Sequence, residues 1–234
     1  MRYRTRRVAL TIAIAIAAIV WLAMQYQASP ITEPASQSTT SSTSQGSGGA
    51  HVALATLAVK GRAPKTGYAR AQFGDGWTTL KGCDTRNIIL NRDLKDVVVD
   101  EECHVTKGAL SDPYTGKTIN FVRGTDTSDD VQIDHVVALS NAWQTGAQQL
   151  TREQRVALAN DPLELLAVDG PSNQAKGDGD AATWLPPNKA FRCQYVARQI
   201  AVKAKYSLWV TASEKQAMTQ VLSVCPNQQL PVAS

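Results

Sequence analysis

Two short apolar runs, the second closed by a polar turn, constrain this chain more than any other feature. Residues 131–143 read VQIDHVVALSNAW and residues 160–178 read NDPLELLAVDGPSNQAKGD. Each run is rich in Val, Ile and Leu and bounded by turn formers, the pattern of a buried strand. Between them TREQRVALAN reads as a helix, and after the second run residues 172–177 begin another, with Gly177 and Gly179 as breakers. The expected order is strand, helix, strand, helix. An Asp-His pair sits on the first strand, Asn160 before the second, and Asn173 and Lys176 in the closing helix.

That set of side chains suits phosphodiester cleavage, which needs a metal, a base and a cation near the phosphate. Asp134 is a hard oxygen donor and Asn173 offers an amide oxygen. Together they make a sparse site that leaves most of a metal's coordination to water and phosphate, as Mg²⁺ prefers, with Mn²⁺ as an alternative. His135 is the candidate general base, because imidazole accepts a proton near neutral pH. Lys176 is expected near a phosphate oxygen, neutralising charge as it builds. The three-residue spacing puts Asn173 and Lys176 on one helix face, and the helix N-terminus is expected to favour an anion. Adjacent residues on a regular strand point to opposite faces, so Asp134 and His135 can share a site only at a strand end or bulge.

The segments IDHVVAL, NDPLELL and SNQAKGD resemble the HNH endonucleases, the ββα-metal or His-metal finger nucleases. The resemblance implies Asp134 and Asn173 as metal ligands and His135 as the base. It also implies Asn160 tying the hairpin loop and orienting His135, and Lys176 as a helper at the phosphate. The implied substrate is DNA, with RNA as an alternative, and the implied products carry 5′-phosphate and 3′-hydroxyl ends. DPYTGKTINFVRG, DGDAATWLPPN and IAVKAKYSLWVT resemble an exported branch of the same family. Two departures stand out: no CxxC pairs surround the motif to bind a structural zinc, and the segment between the strands is long.

The N-terminus bears on location. Arg2, Arg4, Arg6 and Arg7 precede an apolar run from Val8 to Met24. That length is short for a spanning helix and long for a signal-peptide core, so residues 1–28 read as either a cleaved signal or a membrane anchor. Both export the remainder, making it secreted or cell-surface. Residues 29–50 are rich in Ser, Thr, Gln, Gly and Pro and read as a flexible linker. Residues 51–234 then form one domain, expected to be monomeric. The four cysteines lie in it and agree with export. Three pairings exist, of which Cys83 with Cys103 and Cys193 with Cys225 join the nearest residues. A zinc site using His104 has no recognisable ligand spacing.

The net charge of +4 is mostly the N-terminal arginines. Beyond residue 50 basic and acidic residues nearly cancel, so global charge gives no nucleic-acid footprint. Two local clusters remain, KGRAPKTGYAR at 60–70 and RQIAVKAKY at 198–206, where Arg198, Lys203 and Lys205 are candidates for a phosphate track or a solvated helix face. Trp143 and Trp184 lie near the motif and read as core rather than as base-stacking platforms.

Elsewhere HVALATLAV begins helically, DVVVD and CHVTKGAL read as strands, and SDPYTGK turns the chain into TINFVRG to make a hairpin behind the active-site strands. A long helix follows Pro187, and a last one opens on the capping box Thr211–Glu214. The expected fold is α+β, a ββα core in a single domain with an additional hairpin and C-terminal helices. The rival functions are a non-catalytic module binding nucleic acid or cell-wall polymer, and a phosphoesterase acting on smaller substrates, which would want a closed pocket.

Overall fold

Alternation within the two apolar runs decides what covers each face of the central strands. The computed structural model describes residues 49–125 and 127–231. There β6 (Val131–His135) and β7 (Leu165–Asp169) pair antiparallel, with Val131 opposite Asp169 and His135 opposite Leu165. Leu165 and Ala167 face one cluster with Val131 and Ile133, while Leu166 and Val168 face another. β7 is therefore buried on both sides, which explains why its sequence is a continuous apolar run.

The first cluster is closed by α2 (Thr85–Asp93) through Ile89 and Leu90, and by a three-stranded antiparallel sheet. That sheet is β3 (Leu94–Val99), β4 (Val105–Ser111) and β5 (Thr118–Val122), contributing Leu94, Val105, Leu110 and Phe121. The expected hairpin thus does back the central strands. A small ribbon, β1 (Thr79–Leu80) with β2 (Cys83–Asp84), precedes α2. The Asp84 side chain caps α2 by accepting from the Asn87 amide at 2.7 Å.

The second cluster is helical. It holds α1 (Ala50–Thr56), α3 (Leu139–Gln144), α4 (Arg152–Ala159), α6 (Arg192–Lys205) and α7 (Ala212–Leu222). Capping boxes open α4 at Thr151 and α7 at Thr211, as the sequence predicts for the latter. Trp143 is buried here, and Trp184 packs edge-on against Tyr114 and Tyr195, so both are core residues.

The short helix α5 (Gly170–Lys176) follows β7 with no loop. Asp169 caps it, accepting from the Ser172 amide at 2.8 Å, and Pro171 presets the first turn. Gly170 is obligatory because a Cβ there would collide with the Asp129 carbonyl. Two strands and a helix thereby form one continuous unit.

Disulfides join Cys83 to Cys103 and Cys193 to Cys225, the nearest-neighbour pairing. The first ties β2 to the β3–β4 turn, and the second ties α6 to the segment after α7. Among the described residues no helix is long and apolar enough to cross a membrane. The apolar run from Val8 to Met24 and the linker up to residue 48 lie outside them.

Candidate active site

His135 is the last residue of β6, the strand end that the Asp-His pair requires. It is 7% exposed, and its ring lies nearly parallel to Trp77, with centroids 5.7 Å apart and planes 7° apart. Nε2 is 3.0 Å from the carbonyl oxygen of Ala159, at the end of α4. A carbonyl only accepts, so Nε2 carries the proton and Nδ1 is left with its lone pair. Burial, then the positive charge of Arg70, pull the imidazole down to about 3 against the effect of the Ala159 bond. The ring is neutral at physiological pH, with the Nδ1 lone pair unprotonated.

Asn160 sits one residue beyond that carbonyl and stays out of the cleft. Its Nδ2 donates to the Val156 carbonyl at 3.0 Å and its Oδ1 accepts from the Thr78 amide at 2.9 Å. Thr78 follows Trp77, so Asn160 fixes the segment whose indole covers His135.

Asp134 takes its partners on the opposite side of the strand. Lys176 Nζ donates to its Oδ1 at 2.8 Å and to the His135 carbonyl at 2.8 Å, while the Tyr114 hydroxyl donates to its Oδ2. The Asp134 and Lys176 side chains are 5% and 0% exposed. Burial raises the Asp134 carboxyl above the usual range despite Lys176, and burial with the adjacent carboxylate pushes the Tyr114 phenol well up, so it remains a donor. This corrects the placement of Lys176. It lies inside the protein as the counter-ion of Asp134, and not beside a phosphate.

Asn173 lies one turn before Lys176 on α5. Its Nδ2 donates to Gln132 Oε1 at 3.0 Å. That bond orients the amide and leaves Oδ1 as its uncommitted end. Gln132 and Asp134 share a face of β6, and Asn173 and Lys176 share a face of α5. The strand's two-residue step therefore meets the helix's three-residue step.

An open cleft of about 450 Å³ runs along the free edge of β6, lined among others by His135, Asn173, Trp77, Arg70, Arg86 and Asp178. His135, Asn173 and Asp134 all line it, whereas Asn160 and the Lys176 ammonium stay behind it. Sequence reasoning missed Trp77, Tyr114, Arg70 and Arg86. The basic stretch 60–70 held the one signal for Arg70, and Tyr114 falls in the DPYTGKTINFVRG stretch; nothing local marks Trp77 or Arg86. The second basic stretch makes no phosphate track. Arg198 donates to the carbonyls of Pro162 and Leu163, Lys203 is buried against Glu214 at 3.0 Å, and Lys205 pairs with Asp161 at 2.6 Å. The N-terminus of α5 is no anion site either, since Asp169 occupies it.

Asp134 and Asn173 are the oxygen donors that would hold a divalent cation here, with most of its coordination left to water and phosphate. Asn173 presents an oriented amide oxygen, and each Asp134 oxygen keeps a lone pair beyond the one its partner uses. Asp100, Glu102 and His104 gather their ligand atoms within 4.8 Å, but they lie in the β3–β4 turn and line no part of the cleft.

Comparison with known proteins puts the chain in a nuclease-related class. Residues 84–221 match the family described as the C-terminal domain of GmrSD restriction endonucleases, and the chain belongs to that family. It is also 42% identical over 175 residues to an uncharacterized secreted protein of Arthroderma benhamiae, covering 74% of this chain and 82% of that protein. The matched span begins at the cap of α2 and contains β6, β7 and α5, but not Arg70 or Trp77.

Proposed function

We propose that this protein is an exported, metal-dependent endonuclease of the HNH type that hydrolyses phosphodiester bonds in DNA, with RNA as a second substrate. The observation that carries the reading is His135. Its ring is clamped between Trp77 and the Ala159 carbonyl with Nδ1 unprotonated, in the cleft that also holds the oriented Asn173 oxygen.

His135 Nδ1 takes a proton from a water molecule as the water oxygen attacks phosphorus; the P–O3′ bond breaks, and the 3′ oxygen leaves with a proton from solvent. Asn173 and Asp134 would hold the divalent cation, with Mg²⁺ best suited to so few protein ligands. When bound, it supplies positive charge to the phosphate and the leaving oxygen. Lys176 and Tyr114 fix Asp134, and Lys176 also fixes the His135 carbonyl. Asn160 acts through Trp77 as a positioning residue. The cleft is open along a strand edge, which suits a polymer better than a small phosphoester. The family relative named as secreted, the two disulfides and the N-terminal arginine and apolar runs support export.

The test is nicking of supercoiled plasmid by the oxidised full-length chain with Mg²⁺, Mn²⁺ or EDTA. Metal-dependent nicking is expected, with His135→Ala lowering the rate by roughly 10²–10⁴-fold. A folded, oxidised protein that fails to nick with every metal tested would favour the non-catalytic binding module.

A further inference from the structure

We propose that Arg70 is the catalytic cation of this site, contacting the non-bridging oxygens of the scissile phosphate in the role expected of Lys176. The inference rests on the nuclease reading and adds a residue outside the matched family span.

The first support is a vacancy in function. The Lys176 side chain is wholly buried and both of its bonds go to β6. A phosphate in the cleft has no access to that ammonium, yet charge developing on it requires a preorganised donor.

The second is the commitment of the neighbouring cations. Lys65 pairs with Asp178 at 3.2 Å and Arg62 with Asp180 at 2.7 Å, each bridging to the segment after α5. Arg86 lines the same cleft but spends one terminal nitrogen on the carbonyls of Ser128 and Val131, both at 3.2 Å, at the other end of β6. Four residue steps of strand separate Val131 from His135, about 13 Å. Arg70 is exposed, and its guanidinium has no hydrogen-bond or ion-pair partner among the described residues. It lines the main cleft and also the smaller cavity of about 190 Å³ beside His135 and Trp77.

The third is that its backbone is held while its head is free. Arg70 opens a 3-10 turn, Arg70–Phe73, anchored by Phe73, which is 2% exposed. α4 braces that turn: Arg152 donates to the Ala71 carbonyl at 3.1 Å and Arg155 to the Gln72 carbonyl at 2.9 Å. The same helix supplies the Ala159 carbonyl that orients His135, so base and cation are referred to one rigid element. A guanidinium's forked donors match two phosphate oxygens, which an ammonium does not.

The experiment compares wild type with Arg70→Ala, Arg70→Lys and a distant control, Lys95→Ala on β3, all as full-length oxidised protein. Single-turnover plasmid cleavage at saturating protein with Mn²⁺ gives the chemical step, and DNA affinity in EDTA gives ground-state binding. Arg70→Ala is expected to slow cleavage by roughly 10²–10³-fold while weakening affinity by no more than about tenfold. Arg70→Lys should recover part of the rate, and Lys95→Ala none of the loss should reach. Equal losses of rate and affinity would make Arg70 a binding contact and overturn its catalytic assignment. Arg70→Ala cleaving within about threefold of an active wild type would overturn it too, leaving the nuclease reading intact. An inactive wild type would remove both. Arg70 holds nothing together, so the thermal midpoints of its variants should match wild type.

Discussion

The two sides of β6 treat their polar groups in opposite ways. Towards α5, Asp134 is paired: an ammonium and a phenol each donate to one of its oxygens, and all three groups are buried. Towards Trp77, His135 is left half-satisfied, one nitrogen on a carbonyl and the other with no partner among the described residues. A paired buried cluster fixes geometry, whereas an unsatisfied atom at a cleft costs stability and supplies reactivity. The strand joins them with a single peptide bond, and Lys176 spans the junction by holding the His135 carbonyl. The paired side thus sets the position of the half-satisfied one.

The largest expected effect breaks the paired side. Lys176→Ala leaves the Asp134 carboxylate buried without its counter-ion, which should lower unfolding free energy by about 3–5 kcal/mol in urea titration. Lys176→Met with Asp134→Leu should cost much less, because no buried charge remains. If the single variant proved as stable as wild type, Lys176 would not be the internal partner described here.

Next come the disulfides, one on each side. The loops closed by Cys83–Cys103 and Cys193–Cys225 span 20 and 32 residues, so removing either by paired Ser substitution should cost about 3–4 kcal/mol. Only the first should also reduce nicking at a temperature where both variants are folded. It anchors the ribbon that follows Trp77, whereas the second ties helices away from the cleft. Equal activity losses would erase the distinction.

The strands, the helices and the hairpin were legible because each is written in local pattern: apolar alternation, turn residues and a fixed helix spacing. The same spacing showed Asn173 and Lys176 sharing a face. It could not show that Lys176 faces inward, since that depends on Asp134 and Tyr114 arriving from other elements. Lys203 misled for the same reason, as its partner Glu214 lies on α7. Arg70 and Trp77 come from the stretch before β1, some sixty residues ahead of His135, and only tertiary packing brings them to it. Burial on one side of a strand can be read from period; which charge is spent and which is free cannot.

The reactive side has its own signature in pH. The unfolded chain protonates His135 at an ordinary value near 6.5, whereas the folded chain holds it down to about 3. Stability from this residue is fully present above pH 6.5 and is lost as pH falls towards 3, because the unfolded state takes up the extra proton. The slope is about 1.4 kcal/mol per pH unit, or roughly 2 kcal/mol between pH 6.5 and 5. Glu164, which burial raises well above its usual value, changes stability in the opposite sense, so the comparison must be wild type against His135→Ala. The difference between their stability–pH curves should carry this slope. Parallel curves would mean that His135 is not buried neutral.

The smallest effect tests the link between the sides and the loop above them. Asn160→Ala removes the acceptor of the Thr78 amide and the donor to the Val156 carbonyl, both on the half-buried end of α4. The stability cost should be about 1–2 kcal/mol. The informative readout is catalytic, because Asn160 touches no substrate in the proposed mechanism. With the Trp77 segment loosened, His135 keeps its Ala159 bond but loses a fixed cover, so the single-turnover rate should fall by about tenfold with DNA affinity unchanged. Asn160→Asp retains the acceptor oxygen for Thr78 and should recover most of that rate. A loss in Asn160→Ala that Asn160→Asp does not restore would point to the helix end itself, and would detach Trp77 from the positioning of the base.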